Sequence, residues 1–91
     1  MLRSFRSRAL KAFWSRGDTS RINAALVDRV RRRLDALHAA RVPQDMNVFG
    51  FDFHKLRGAP VRYSIHVNGP WCITFAWEAD DAVQVDLENY H

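Results

Sequence analysis

The sequence predicts an α+β fold in which two N-terminal helices pack on one face of an antiparallel sheet. Three observations carry that prediction. Apolar residues recur at helical spacing up to about residue 40. Pro43 then breaks the pattern. Beyond it the apolar period becomes two, with turn-forming residues between the runs.

The opening "MLRSF" reads as a short strand with Leu2 and Phe5 inward. From Ser7 the pattern is helical. Ser7 is an N-cap residue, Leu10, Phe13 and Trp14 share one face, and Gly17 is a stop. A second helix is expected to start within Asp18 to Ser20, all good capping residues, and to run to about Ala40. Its apolar stripe is Ile22, Leu26, Val30, Leu34 and Leu37. The opposite side carries Arg29, Arg31, Arg32, Arg33 and Asp35. Such a stripe is core by default, and such a charged side is solvated by default.

Four strand-like runs follow. "VFGFDFHKLRG" alternates Phe49, Phe51 and Phe53, and "VRYSIHV" alternates Val61, Tyr63, Ile65 and Val67. "WCITFAW" alternates Trp71, Ile73, Phe75 and Trp77, and "AVQVDL" alternates Val83, Val85 and Leu87. "NGP" and "EADD" separate the last three runs, so an antiparallel meander is expected. The odd positions make one apolar face, where the helices belong. A two-residue Asn68-Gly69 loop would pair Ile65 with Cys72 and mix the faces. A three-residue loop, Asn68 to Pro70, pairs Val67 with Trp71, Ile65 with Ile73, His66 with Cys72 and Ser64 with Thr74. The even face is then polar: Arg62, Ser64, His66, Cys72, Thr74, Gln84, Asp86 and Glu88. It is either solvated or lines a cleft.

Size and composition narrow the function classes. Ninety-one residues, 47% of them apolar, fit one globular domain over 1–91. No apolar run reaches the roughly 18 residues of a membrane span, and the charges scattered through the N-terminus do not fit a signal peptide. With one cysteine, Cys72, an internal disulfide is excluded and a reducing cytoplasm is the simplest setting. The net charge is +4, unevenly held. Residues 1–45 carry eleven Lys and Arg against four Asp and Glu, whereas residues 46–91 carry three against six. The basic half suits a polyanion such as nucleic acid. Most aromatic rings fall at core parity, which leaves few for a free-standing single-strand RNA platform.

The glycines form no phosphate loop, and there is no G-x-S-x-G elbow. The four histidines show no close paired spacing and no second cysteine joins them, so neither a metal site nor a cofactor is expected. Acid–base and electrostatic chemistry remains. "FDFHKLRG" sets His54, Lys55 and Arg57 at a strand end, and Tyr90 and His91 add two more proton-carrying groups. Imidazoles exchange protons near neutral pH, and guanidinium grips phosphate. A histidine at a strand end is, taken alone, more often structural.

The stretch "HKLRGAPVRYSIHVNGPWCITFAWEADDAVQVDLENYH" resembles the HigB toxins of the RelE superfamily. That family shows a His-x-x-Lys-Gly type segment, a Ser-Ile-x-Val-Asn run, a Trp-Arg-Ile-x-Phe run and a closing Asp-Tyr-His. The likeness covers nearly the whole chain and is strongest from Gly58 to His91. It implies a RelE-like, microbial ribonuclease-like fold. It also implies a toxin of a type II toxin–antitoxin pair that cuts mRNA on the translating ribosome. The implied partners are a helix-turn-helix antitoxin of the HigA type, the ribosome with its mRNA, and operator DNA through the antitoxin complex. By the same resemblance His54 and His91 transfer protons and Arg57 holds phosphate. Tyr90 stacks on a base or donates a hydrogen bond. Lys55 and Arg62 help bind substrate, and Arg29, Arg31, Arg32 and Arg33 grip ribosomal RNA. The last histidine would then lie at the ribose–phosphate, and the chain would end where its site does.

Three positions depart from the family pattern. Arg57 stands for its lysine, Asn89 for its aspartate and Cys72 for its arginine. Cys72 and Asn89 thus occupy supporting positions with altered charge; either Arg62 or Lys55 supplies the lost cation, or the toxin is weakened. Two readings stay open. One is a metal-free mRNA endonuclease working by 2′-OH attack on the adjacent phosphate. The other is a weakened or inactive toxin fold that acts by binding antitoxin or ribosome and by operator repression.

Overall fold

Three runs of alternating residues build the sheet, and two amphipathic helices cover its apolar side. The computed structural model describes residues 1–89; Tyr90 and His91 lie outside the described residues. Helix α1 spans Arg8–Arg16 and α2 spans Val27–Ala39. The strands are β1 (His54–Lys55), β2 (Tyr63–Asn68), β3 (Trp71–Glu78) and β4 (Asp81–Asn89), paired antiparallel in that order. The architecture is α+β. No helix among the described residues is long and apolar enough to cross a membrane.

The limits of α1 follow its capping residues. Ser7 Oγ accepts from the Leu10 N–H at 3.1 Å. At the other end Gly17 takes φ 70°, a left-handed conformation that only glycine adopts without strain. Its N–H reaches the Phe13 carbonyl at 2.9 Å, and the Asp18 N–H reaches Ala12 at 3.4 Å.

The second helix starts later than its capping residues suggest. Asp18 Oδ1 accepts from both the hydroxyl and the backbone N–H of Ser20, at 2.7 and 2.9 Å. The Ser20 hydroxyl first, then its N–H, holds the Asp18 carboxyl below its ordinary range. This local turn competes with helix formation. Asn23 caps a 3-10 turn over Ala24–Leu26, which leads into α2. The stripe Ile22, Leu26, Val30, Leu34 and Leu37 is nonetheless buried throughout. Beyond α2, Asp45 Oδ2 accepts from the N–H groups of Arg41 and Val42 and closes the chain around Pro43.

The sheet keeps the expected register through an unexpected device. Ile65 pairs with Ile73, His66 with Cys72 and Ser64 with Thr74. Yet Asn68, not Val67, faces Trp71, across a two-residue turn of Gly69 and Pro70. A bulge between His66 and Asn68 absorbs the extra residue, so the upstream parity equals that of a three-residue loop. A second shift lies between Thr74 and Ala76, where Gln84 takes φ 50°. Here the parity of β4 changes. Ala82 joins Val85 on the helix face, whereas Val83, also buried, pairs with Ala76 on the other face, a correction to the expected stripe.

The phenylalanine run is not a strand. The Phe51 N–H reaches the Val48 carbonyl at 3.0 Å, and Gly50 (φ 89°) and Asp52 (φ 46°) are left-handed. Extended pairing cannot pass through two such residues, so only His54 and Lys55 join the sheet. Phe49 is fully exposed, while Phe51 and Phe53 pack partly against the core. The ring of Phe53 stacks on Tyr63 at 5.7 Å, and Tyr63 stacks on Phe75 at 5.6 Å. At the other edge, Leu2 and Phe5 form parallel bridges to Ala82 and Val85, as "MLRSF" suggested, and shield the β4 edge.

Arg33 also departs from expectation, since its side chain is buried with the core. Its Nε donates to the His66 carbonyl at 2.7 Å, beside the β2 bulge, and Nη1 donates to the Arg29 carbonyl at 3.2 Å. The guanidinium lies 4.6 Å from the Phe51 ring centroid. Burial, and then the charges of Arg29 and Arg32, lowers its pKa from the ordinary guanidinium value. Arginine stays protonated regardless. Arg33 is thus a fastener between α2, the β2 bulge and the loop before β1. Arg33→Ala should cost about 2–4 kcal/mol in urea unfolding, because a buried hydrogen-bonded charge leaves the His66 carbonyl without its donor. Arg32→Ala, at an exposed site, should change stability by about 0.5 kcal/mol or less. Equal effects would contradict the fastener.

Candidate active site

The polar face of the sheet is built by register. His54 pairs with Ser64, Ser64 with Thr74 and Thr74 with Asp86, so these four side chains share one side. Cys72 falls on the same side, between His66 and Glu88. Adjacent strands are about 4.8 Å apart, which puts His54 and Thr74 about 10 Å apart across the face.

His54 is exposed on the edge strand. Its Nδ1 lies 2.9 Å from the Asp52 carbonyl. A carbonyl only accepts, so Nδ1 carries the proton and, in the neutral ring, Nε2 offers a lone pair. The left-handed backbone of Asp52 (φ 46°) is part of the turn that brings this carbonyl to the ring. His66 is tied down differently, with Nε2 donating to the Gly69 carbonyl at 3.1 Å.

Arg62 supplies the cation of this face. Its Nη2 donates to Thr74 Oγ1 at 3.0 Å and to the Gln84 carbonyl at 2.9 Å. Thr74 Oγ1 in turn donates to Glu88 Oε2. Thr74 is fully buried as a residue, and Glu88 is half-buried. Ser64 Oγ, on the ladder between His54 and Thr74, is buried and has no hydrogen-bond partner among the described residues.

The sequence-derived candidates divide into groups. His54, Arg62 and Cys72 lie on one face. Lys55 pairs with Tyr63, so its Cβ has the opposite parity to His54. Asn89 pairs with Trp71 and likewise has the opposite parity to Cys72. Arg57 is exposed in the bend after β1. Tyr90 and His91 lie outside the described residues. Arg29, Arg31 and Arg32 are exposed along α2, with Arg31 paired to Asp28 at 3.1 Å, and Arg33 is buried. Thr74 and Glu88 belong to the polar face that alternation predicts, but no motif marks them. Nothing in one dimension announces that a hydroxyl on β3 joins a carboxylate on β4 to an arginine before β2.

Among the described residues no three His, Cys, Asp or Glu side chains gather as ligands for a metal ion. A cavity of about 420 Å³ lies at the β3–β4 turn, lined by Met1, His38 to Arg41, Asp80 and Asp81. It includes none of the polar-face residues, and its lining does not bring together the acid–base groups found there.

Comparison with known proteins adds a family. A family described as the RelE-like toxin of type II toxin–antitoxin system HigB matches residues 3–91. The chain is 36% identical over 92 residues to Endoribonuclease HigB of Proteus vulgaris, with all of both chains covered.

The His54 geometry has a direct spectroscopic consequence. Long-range proton–nitrogen NMR on the neutral ring should show the proton on Nδ1. A predominant Nε2–H form would contradict the bond to Asp52.

Proposed function

The chain belongs to the HigB toxins of RelE-like type II toxin–antitoxin systems, and from that membership we propose that it is a ribosome-dependent endoribonuclease that cuts mRNA. The observation that carries the reading is His54. Its Nδ1 is held by the Asp52 carbonyl, its Nε2 is left to accept a proton, and an anchored arginine lies across the same face. These are the base and the cation that attack of a 2′-OH on the adjacent phosphate needs.

In the proposed reaction His54 Nε2 takes the 2′-OH proton. The 2′-oxygen forms a bond to phosphorus as the P–O5′ bond breaks, and a general acid delivers a proton to O5′. The products are a 2′,3′-cyclic phosphate and a 5′-OH. Arg62, with Arg57 from the bend after β1, balances the charge that builds on the phosphate oxygens. By family resemblance His91 is the acid and Tyr90 orients a base. The His54 tautomer supports the base role for His54, a choice the sequence leaves open.

A small site with one exposed imidazole has little means of aligning a flexible RNA, and alignment in line is worth many orders of magnitude. The ribosome supplies it in this proposal, by presenting mRNA in a fixed path. In this proposal Arg29, Arg31 and Arg32, exposed along α2, meet ribosomal RNA through salt-sensitive contacts. The proposed partners are a helix-turn-helix antitoxin of the HigA type and, through it, operator DNA, all in the cytoplasm.

Cys72 favours a second reading, because a neutral side chain occupies the middle of the face between His66 and Glu88. In that reading the fold binds antitoxin and ribosome without cutting. Primer extension on mRNA, with and without ribosomes, separates the two. The proposal expects breaks only with ribosomes, reduced about 10²–10⁴-fold by His54→Ala, with the fold unchanged by circular dichroism. Efficient cutting of free RNA, or full activity of the variant, would contradict it. A silent wild type revived by Cys72→Arg would favour the binding reading.

A further inference from the structure

Arg62 is held by more than proximity. One amino group, Nη2, donates to a side-chain hydroxyl on β3 and to a main-chain carbonyl on β4. The Thr74 hydroxyl has one proton to give. It gives that proton to Glu88 Oε2, so its lone pairs face Arg62. The chain therefore has a fixed direction: guanidinium to hydroxyl to carboxylate. Each bond polarises the next, and the charged ends strengthen both.

The second anchor depends on an irregularity in β4. The register shift between Thr74 and Ala76 coincides with Gln84 at φ 50°, a conformation a glutamine adopts only at some cost. The same segment is braced from the other side. Ser4 Oγ accepts from the Gln84 N–H at 2.9 Å, and the Val85 N–H reaches the Ser4 carbonyl at 3.1 Å. With its N–H turned to Ser4, the bulged residue is left with its carbonyl for Arg62. Strain kept in place by several bonds, at a spot that aims a polar group at a cation, is a mark of a built site.

We propose that Thr74 and Glu88 are positioning residues of the RNA-cleaving site, which hold Arg62, together with the Gln84 carbonyl, as the cation that meets the scissile phosphate. The proposal rests on the endoribonuclease reading and deepens it. Glu88 orients Thr74, and Thr74 orients Arg62. The cation reaches the middle of the face from the start of β2, on the ladder that leads through Ser64 to His54. Cys72 lies two residues from Thr74 on that side.

The test uses the full-length chain and two readouts. In the first, ribosome-dependent mRNA cleavage is measured for the wild type, Thr74→Val and Thr74→Ser. Thr74→Val keeps shape but loses the hydroxyl, and should lower kcat about 10²-fold with little change in KM, as expected when a transition-state contact is misplaced. Thr74→Ser returns the hydroxyl and should recover most of that loss. A general packing defect would not be rescued by the smaller serine. In the second, the Arg62 guanidinium NMR signals are followed, which needs no activity. Slowly rotating Nη signals in the wild type should be lost in Thr74→Val. Should Thr74→Val fail to fold, Glu88→Ala tests the same chain and should loosen the same signals with a smaller fall in kcat. Unchanged kcat or unchanged Arg62 signals in the folded variant would overturn the proposal. If the wild type does not cleave while its Arg62 signals still depend on Thr74, the endoribonuclease reading fails and the clamp stands as a structural fact only, which overturns its catalytic role.

Discussion

The register of β3 between β2 and β4 is the constraint on which the rest of the molecule depends. Ile73 and Phe75 are fully buried toward the helices, and Trp71 and Trp77 flank them half-buried. A slip of one residue would turn all four outward and bring Cys72, Thr74 and Ala76 inward. At about 1.5–3 kcal/mol for each large apolar side chain, that loss is comparable with the whole net stability of a small domain, about 5–15 kcal/mol. Packing of the apolar face therefore decides which residues appear on the polar face. His54, Ser64, Thr74 and Asp86 stand side by side because Tyr63, Ile65, Ile73 and Phe75 must face the helices.

Around the candidate site the backbone departs from a regular sheet at three places. Asp52 takes a left-handed conformation within the turn that carries its carbonyl to His54. Gln84 does the same in the β4 shift, and its carbonyl meets Arg62. The bulge near Val67 sits beside the His66 carbonyl, to which buried Arg33 donates. Two of these departures are braced from behind, the β4 shift by Ser4 and the β2 bulge by Arg33 of α2. A rigid helix-backed sheet lets a small protein keep such local strain without losing its register.

Much of this was legible in the sequence, for reasons that can be stated residue by residue. Ser7 and Gly17 act within their own turns, so local chemistry predicts the limits of α1. The stripe from Ile22 to Leu37 and the pairing of Ile65 with Ile73 follow from periodicity. Features decided by distant partners were not legible. Arg33 reads as one of a row of solvated arginines, but the His66 carbonyl and the Phe51 ring draw it inward. Phe49 reads as a strand residue until Gly50 and Asp52 turn left-handed. Val83 gives way to Ala82 because a shift in β4 cannot be counted from alternation. In the site, His54 and Arg62 stood out by their chemistry. Thr74 and Glu88 did not, since a threonine and a glutamate on a strand are ordinary until their partners are known. Lys55 and Asn89 fall at the opposite parity to His54 and Cys72, which alternation interrupted by loops does not reveal.

The central claim is that this polar face cuts RNA by moving protons at a 2′-OH. The ends of the product RNA report on it most directly. Fragments from ribosome-dependent cleavage should carry 2′,3′-cyclic phosphate, or the 3′-phosphate formed when it opens, opposite a 5′-OH. Fragments with a 3′-OH and a 5′-phosphate would mean that water, not the 2′-OH, attacks the phosphorus, and would contradict the account.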